Sequence, residues 1–185
     1  GKAQRIWVTD RGMISQANME FLQAGHRRYI VGTPKGMLKR FERELLQEDW
    51  SAVREGLEVK LCPGPDGTET FILCRSADRR AKEQAMHERF ERRIEEGLVS
   101  LQAACARQRC DSVTMARRVG RLLGQNTRAA GLFHVDVTTD ASGAARVTWS
   151  RQEAWRSWAR LSEGCYLLRS NVTDFAPSDL IEAYK

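Results

Sequence analysis

"RIWVTDRGMISQANMEFLQAGHRRYIVGT", residues 5–33, decides how the rest of the chain is read. Residues 6–9 are Ile, Trp, Val and Thr, residue types that suit a strand. Ser15 stands where a helix needs its N-cap, because a hydroxyl there accepts from an orphan backbone N–H. Ile14 and Met19 occupy the hydrophobic-staple positions around that cap. The helix is expected to reach about Ala24, with Gly25 as its terminator. Residues 27–33, "RRYIVGT", then read as a second strand. Strand, helix and strand in so short a span predict a βαβ unit, with the strands parallel and the helix packed on one face.

That unit makes Asp10 the leading candidate for a catalytic and metal-binding residue. In open α/β sheets the carboxyl ends of parallel strands face the ligand crevice. A carboxylate at such an end can hold a hard divalent cation through oxygen. The competing reading is that Asp10 closes a turn with Arg11 and Gly12, or pairs with an arginine. No second acid is well placed by pattern. Glu20 lies within the first helix, Asp136 on the polar face of a strand, and Glu182 in the first turns of the last helix, where acids serve the dipole. Either Asp10 is not catalytic, or its partners lie outside these 185 residues.

Further along, residues 37–50 read as a helix with Met37, Phe41 and Leu45 on one stripe; Lys35, Lys39 and Arg43 recur on a neighbouring face. Residues 56–62 and 68–75 read as an antiparallel hairpin around "PGPDG". A long helix is expected from Asp78 to Arg107, with an apolar stripe from Met86 through Leu98 to Cys105. A shorter helix follows over 112–123. Alternation over 131–139 and 144–149 predicts a second hairpin. Ser150 and Glu153 suggest a capping box before a helix bearing Trp155 and Trp158. A last strand opens at Cys165, and a last helix opens at Pro177. That helix runs barely two turns before Lys185, which reads as a cut in a longer chain. Residues 1–34 thus form a parallel α/β region, and 35 to about 175 a region of mixed helices and hairpins.

Composition narrows the class only a little. The chain is 42% hydrophobic, enough for a real core, and carries 30 Lys plus Arg against 24 Asp plus Glu, a net charge of +6. That balance favours a polyanionic partner without requiring one. "RSADRRAK" and "TMARRVGR" are basic and suit either phosphates or a solvated surface. The five cysteines, at 62, 74, 105, 110 and 165, match no common zinc pattern and read as reduced thiols. His26, His87 and His134 show no ligand spacing, and Gly12, Gly32 and Gly36 form no phosphate loop. Trp149, Trp155 and Trp158 fit core packing better than base stacking. No apolar run is long enough for a membrane span, so a cytoplasmic protein is expected.

"VTDRGMISQANMEFLQAGHRRYIVGTPK" resembles the second-aspartate region of DDE transposases encoded by bacterial insertion sequences. The likeness is to the branch with a large insertion before the last catalytic helix and a tyrosine, arginine, glutamate and lysine signature. "CYLLRSNVTDFAPSDLIEAYK" resembles the segment leading into that helix, and "ETFILCRSADRRAKE" a piece of the insertion. The resemblance implies a partial ribonuclease-H-like α/β core over 1–34, an α+β insertion domain over 35–175 with antiparallel hairpins and helices, and the start of the last core helix over 176–185.

By the same resemblance Asp10 is the second metal-binding aspartate and Tyr184 the signature tyrosine, facing nucleic acid. The first aspartate would precede Gly1, and the glutamate would follow Tyr184 by seven residues, so Glu182 is not that acid. The implied cofactor is Mg2+ or Mn2+, with two ions serving an in-line displacement at transposon ends. This chain would be inactive alone, because two of three acids are missing. DNA is the implied partner, the intact protein a homo-oligomer working on the bacterial nucleoid, with no membrane involved. Lys35, Lys39 and Arg40 are the first candidates for phosphate contact, with Arg11 beside them. The alternatives are a non-catalytic nucleic-acid-binding module, a decayed ribonuclease-H-like nuclease, and an unrelated metabolic α/β enzyme.

Overall fold

The computed structural model describes residues 5–10 and 15–184. The chain forms two compact units, one of residues 1–81 with 161–185, the other of residues 82–160. The fold is mixed α/β, with a central sheet and several helices.

The first unit is built on a six-stranded sheet. β1 (Ile6–Thr9) and β2 (Arg28–Gly32) pair in parallel, Ile6 opposite Arg28 and Thr9 opposite Val31, joined through α1 (Gln16–Ala24). Ser15 caps α1, its hydroxyl accepting from the Asn18 N–H at 3.1 Å. The staple residue Ile14 lies outside the described residues. α1 ends at Ala24 with Gly25 at its C-cap, as expected, but the left-handed residue is the next one. Gly25 has an ordinary φ of −90°, and His26 takes the left-handed conformation at φ +47°. The His26 N–H donates to the Gln23 carbonyl and the Arg27 N–H to that of Leu22, which is the Schellman pattern.

The single helix expected over 37–50 is not formed. A 3-10 helix, Lys35–Phe41, gives way to a short α2 (Glu42–Leu46), and a strand that the sequence did not announce follows, β3 (Ser51–Arg54). Three residues per turn change which side chains point inward. Leu38 is fully buried and Leu45 nearly so, whereas Met37 and Phe41 stay half-exposed. The buried Lys60 fixes the end of α2, its ammonium donating to the carbonyls of Glu44 at 2.6 Å and Gln47 at 3.1 Å and pairing with Asp49. Those carbonyls have no intrahelical partner.

β4 (Leu57–Pro63) and β5 (Thr70–Ser76) form the expected antiparallel hairpin, and β8 (Cys165–Ser170) inserts between β5 and β2. The order across the sheet is β1-β2-β8-β5-β4-β3. A border at residue 34 therefore runs through one hydrogen-bonded sheet. Residues 51–76 and 165–170, expected in an insertion, share that sheet with β1 and β2. α1 covers one face through Met19 and Leu22 on Tyr29 and Val31. On the other face α7 (Pro177–Tyr184) seats Leu180 and Ile181 against Ile30, Leu57, Val59, Ile72 and Leu168.

The second unit takes up most of α3 (Ala77–Arg107) and contains α4 (Ser112–Gln125), α5 (Thr127–Ala130) and a two-stranded sheet of β6 (Phe133–Thr139) and β7 (Ala145–Arg151). Ile94 and Leu98 of α3 pack on Ala129, Leu132 and Phe133, with Trp149 and Trp155 against them. Trp149 and Trp155 thus serve packing. Met115 and Val119 of α4 meet Ala145 and Val147. Asp111 caps α4, accepting from the Thr114 N–H at 2.7 Å. The expected capping box is not made, because Ser150 is still in β7, paired with His134. α6 (Glu153–Ser162) instead starts from the Gln152 carbonyl, which accepts from the Arg156 N–H.

Candidate functional site

Asp10 follows the last residue of β1, at the carboxyl end of the parallel pair, and is exposed. Strand alternation puts Ile6, Val8 and Asp10 on one face, and Ile6 packs into the cluster under α7. α7 is fixed there by its buried Leu180 and Ile181. One turn after Leu180, Tyr184 donates its hydroxyl to Asp10 Oδ1 at 3.3 Å. Two segments 174 positions apart meet at this carboxylate. Burial raises the Tyr184 pKa, and the charge of Asp10 and the hydrogen bond to it push in the same direction. Tyr184 therefore acts near neutral pH as an uncharged donor.

Two further residues stand close by: Tyr166, which the sequence did not single out, and Arg79, which belongs to the basic stretch "RSADRRAK". Tyr166 is the second residue of β8, and the Arg79 guanidinium lies 4.1 Å from its ring centre, a cation–π distance. β8 runs antiparallel to β2, so its first residues lie at the same end of the sheet as Asp10. Burial raises the Tyr166 hydroxyl, and the paired Cys74 adds to this through charge and a hydrogen bond. Cys74 is itself pushed up to about 12, chiefly by burial, so it is a thiol and not a nucleophile at neutral pH. The positive charge of Arg79 opposes the upward shifts of both Tyr166 and Tyr184. The arrangement offers one carboxylate, two neutral phenols and a guanidinium.

The other nominated residues are placed differently. Arg11 lies outside the described residues. Lys35, Lys39 and Arg40 ride on the 3-10 helix, and Lys39 pairs with Glu42 at 2.8 Å. That helix runs on to Phe41, whose ring is 5.2 Å from that of Phe71. Register puts Phe71 in line with Arg169 and Val31, on the α1 face. The structure therefore brings Tyr184 to Asp10 on the α7 face and seats the segment bearing the three cations on the opposite one.

Among the described residues no three His, Cys, Asp or Glu side chains are grouped to hold an ion. Magnesium wants near-octahedral oxygen ligation. Asp10 fits one ligand position, and residues 5–10 and 15–184 do not by themselves fit the ion.

The opposite end and face of the sheet hold a second tyrosine–carboxylate pair. Buried Glu69 accepts from the Tyr29 hydroxyl on one oxygen and from Arg169 Nε at 2.7 Å on the other. Burial, helped by Glu69, pushes Tyr29 up to about 12.

No protein-family model, no curated protein sequence and no solved structure matches the chain. No helix among the described residues is long and apolar enough to cross a membrane.

Proposed function

We propose that this chain contributes part of the catalytic core of a DDE-type DNA transposase, with Asp10 as one of its acids. One observation carries the reading. The helix that resembles the last catalytic helix lies at the carboxylate that the resemblance nominated, with Tyr184 at 3.3 Å from Asp10. The parallel strand pair and the exposed carboxyl end of β1 support the same reading. In this reading the remaining acids come from sequence flanking residues 1–185, and magnesium or manganese is held only with them. Residues 1–185 alone then turn over no transposon-end DNA. Tyr184 orients Asp10 as a neutral donor, and the Arg79 guanidinium adds positive charge where a phosphate would approach.

The test is the full reading frame. It should carry an aspartate on an apolar strand before Gly1 and a glutamate seven residues after Tyr184. In that full-length protein, Asp10→Asn should lower cleavage of transposon-end DNA more than about a hundredfold, while Tyr184→Phe should cost about tenfold. Cleavage that survives Asp10→Asn, or flanks without those acids, would overturn the reading.

A further inference from the structure

The basic charge of the chain is not spread evenly. Residues 82–160 hold fourteen Lys plus Arg against nine Asp plus Glu, a net of +5 out of the +6 of the whole chain. Within that unit α3 is largely balanced. Its Glu91 and Glu95 pair with Arg151 and Arg156 at 2.7 to 3.4 Å. The excess lies over residues 107–128, where Arg107, Arg109, Arg117, Arg118, Arg121 and Arg128 face a single acid, Asp111. All six are exposed. Hydrogen bonds from Thr114 hold the Asp111 carboxyl below the usual range and those from Ser142 and Ala144 do so for Asp140, with the charges of Arg117 and Arg109 adding in the same direction. Arg107, Arg118, Arg121 and Arg128 form no ion pair among the described residues.

The arginines of α4 share one side. At about 100° per residue, Arg117, Arg121, Thr114, Gln125 and Arg118 fall within an arc of roughly 100°. The buried Met115 and Val119 lie on the other side, so packing fixes this arc toward solvent. The hydroxyl of Thr114 and the amide of Gln125 add neutral donors among the guanidiniums, the mixture that contacts phosphate oxygens.

We infer that the exposed arginine face of α4 is a docking surface for the phosphate backbone of duplex DNA. Composition argues against other anionic partners. A membrane-binding helix needs an apolar wedge beside its basic face, and a protein interface needs an apolar or aromatic centre. The α4 arc has neither: the apolar face of the helix, Met115 and Val119, is already buried on Ala145 and Val147, and Val113 is a single exposed apolar side chain at the edge of the arc. The inference stands on the placement of charge and does not need Asp10 to be catalytic.

Binding of a labelled duplex oligonucleotide to the 185-residue chain, followed by anisotropy across a range of KCl concentrations, tests it. Affinity should fall steeply with salt. The triple variant Arg117→Gln, Arg118→Gln, Arg121→Gln should bind at least about tenfold more weakly, with a salt slope shallower by about 2 to 3. Lysine at the same three positions should keep most of the affinity, which separates charge from folding. Binding is read without metal or turnover, whereas the transposase reading is read on cleavage by the full-length protein, so failure here and failure there are distinguishable. Unchanged binding by the glutamine triple would overturn the inference. So would equal competition by polyglutamate of matched charge, which would make the surface a general anion site.

Discussion

The two ends of the sheet each set a tyrosine against a carboxylate, and the pairs do opposite things. At one end Glu69 is buried, and Tyr29 and Arg169 both donate to it. Its charge is matched inside the protein, and the network ties β2 and β8 to the residue preceding β5. At the other end Asp10 is exposed, so water already stabilises its charge, and its tyrosine comes from a helix distant in sequence. A buried acid with a guanidinium partner is part of the fold's stability. An exposed acid at the carboxyl end of parallel strands contributes little to stability and is available for chemistry.

Substitution at Glu69 should break this contrast most visibly. Glu69→Ala leaves the half-buried Arg169 charge and the buried Tyr29 hydroxyl without this acceptor, and should cost about 3 kcal/mol, read from the denaturant midpoint. Alkali should attack the same end. Tyr29 has a folded pKa of about 12 against 10.0 for the free group, so its contribution is complete below pH 10 and is lost as pH rises toward 12. The loss across that window should be roughly 2–3 kcal/mol, and Tyr29→Phe should remove that part of the alkaline slope in equilibrium unfolding.

Smaller effects sharpen the comparison. His26 occupies a left-handed position that glycine takes without strain. His26→Gly should stabilise the unit by up to about 1 kcal/mol, seen as a raised melting temperature. Asp10→Asn should change stability by no more than about 0.5 kcal/mol in the same melts. A large loss there would make Asp10 a structural acid like Glu69 and remove its claim to a catalytic role.

How much was legible depended on how local each signal was. The βαβ unit, the β4–β5 hairpin, the β6–β7 hairpin and the long helix were readable because caps, turns and periodicity act within a few residues. The helix expected over 37–50 failed because the pattern does not distinguish three residues per turn from 3.6, and Leu38 was the residue that packed inward. Ser150 and Glu153 have the spacing of a capping box, yet pairing across β6–β7 held Ser150 in a strand. Tyr166 carried no signal, and the basic stretch that holds Arg79 did not reveal its place beside Asp10, since no spacing along the chain relates residues 10, 79 and 166.

By itself the sequence determined the parallel strand pair, the carboxylate that ends its first strand, and a basic stretch over 107–128, since each is a property of neighbouring residues. Tertiary structure alone decided that β8 enters between β2 and β5, that Tyr184 reaches Asp10, that Glu69 is neutralised by Tyr29 and Arg169, and that the α4 arginines face solvent on one side. The physical reason is the range of the forces involved. Capping and periodicity act over one or two turns of chain, whereas strand order and burial are settled by which distant surfaces exclude water together.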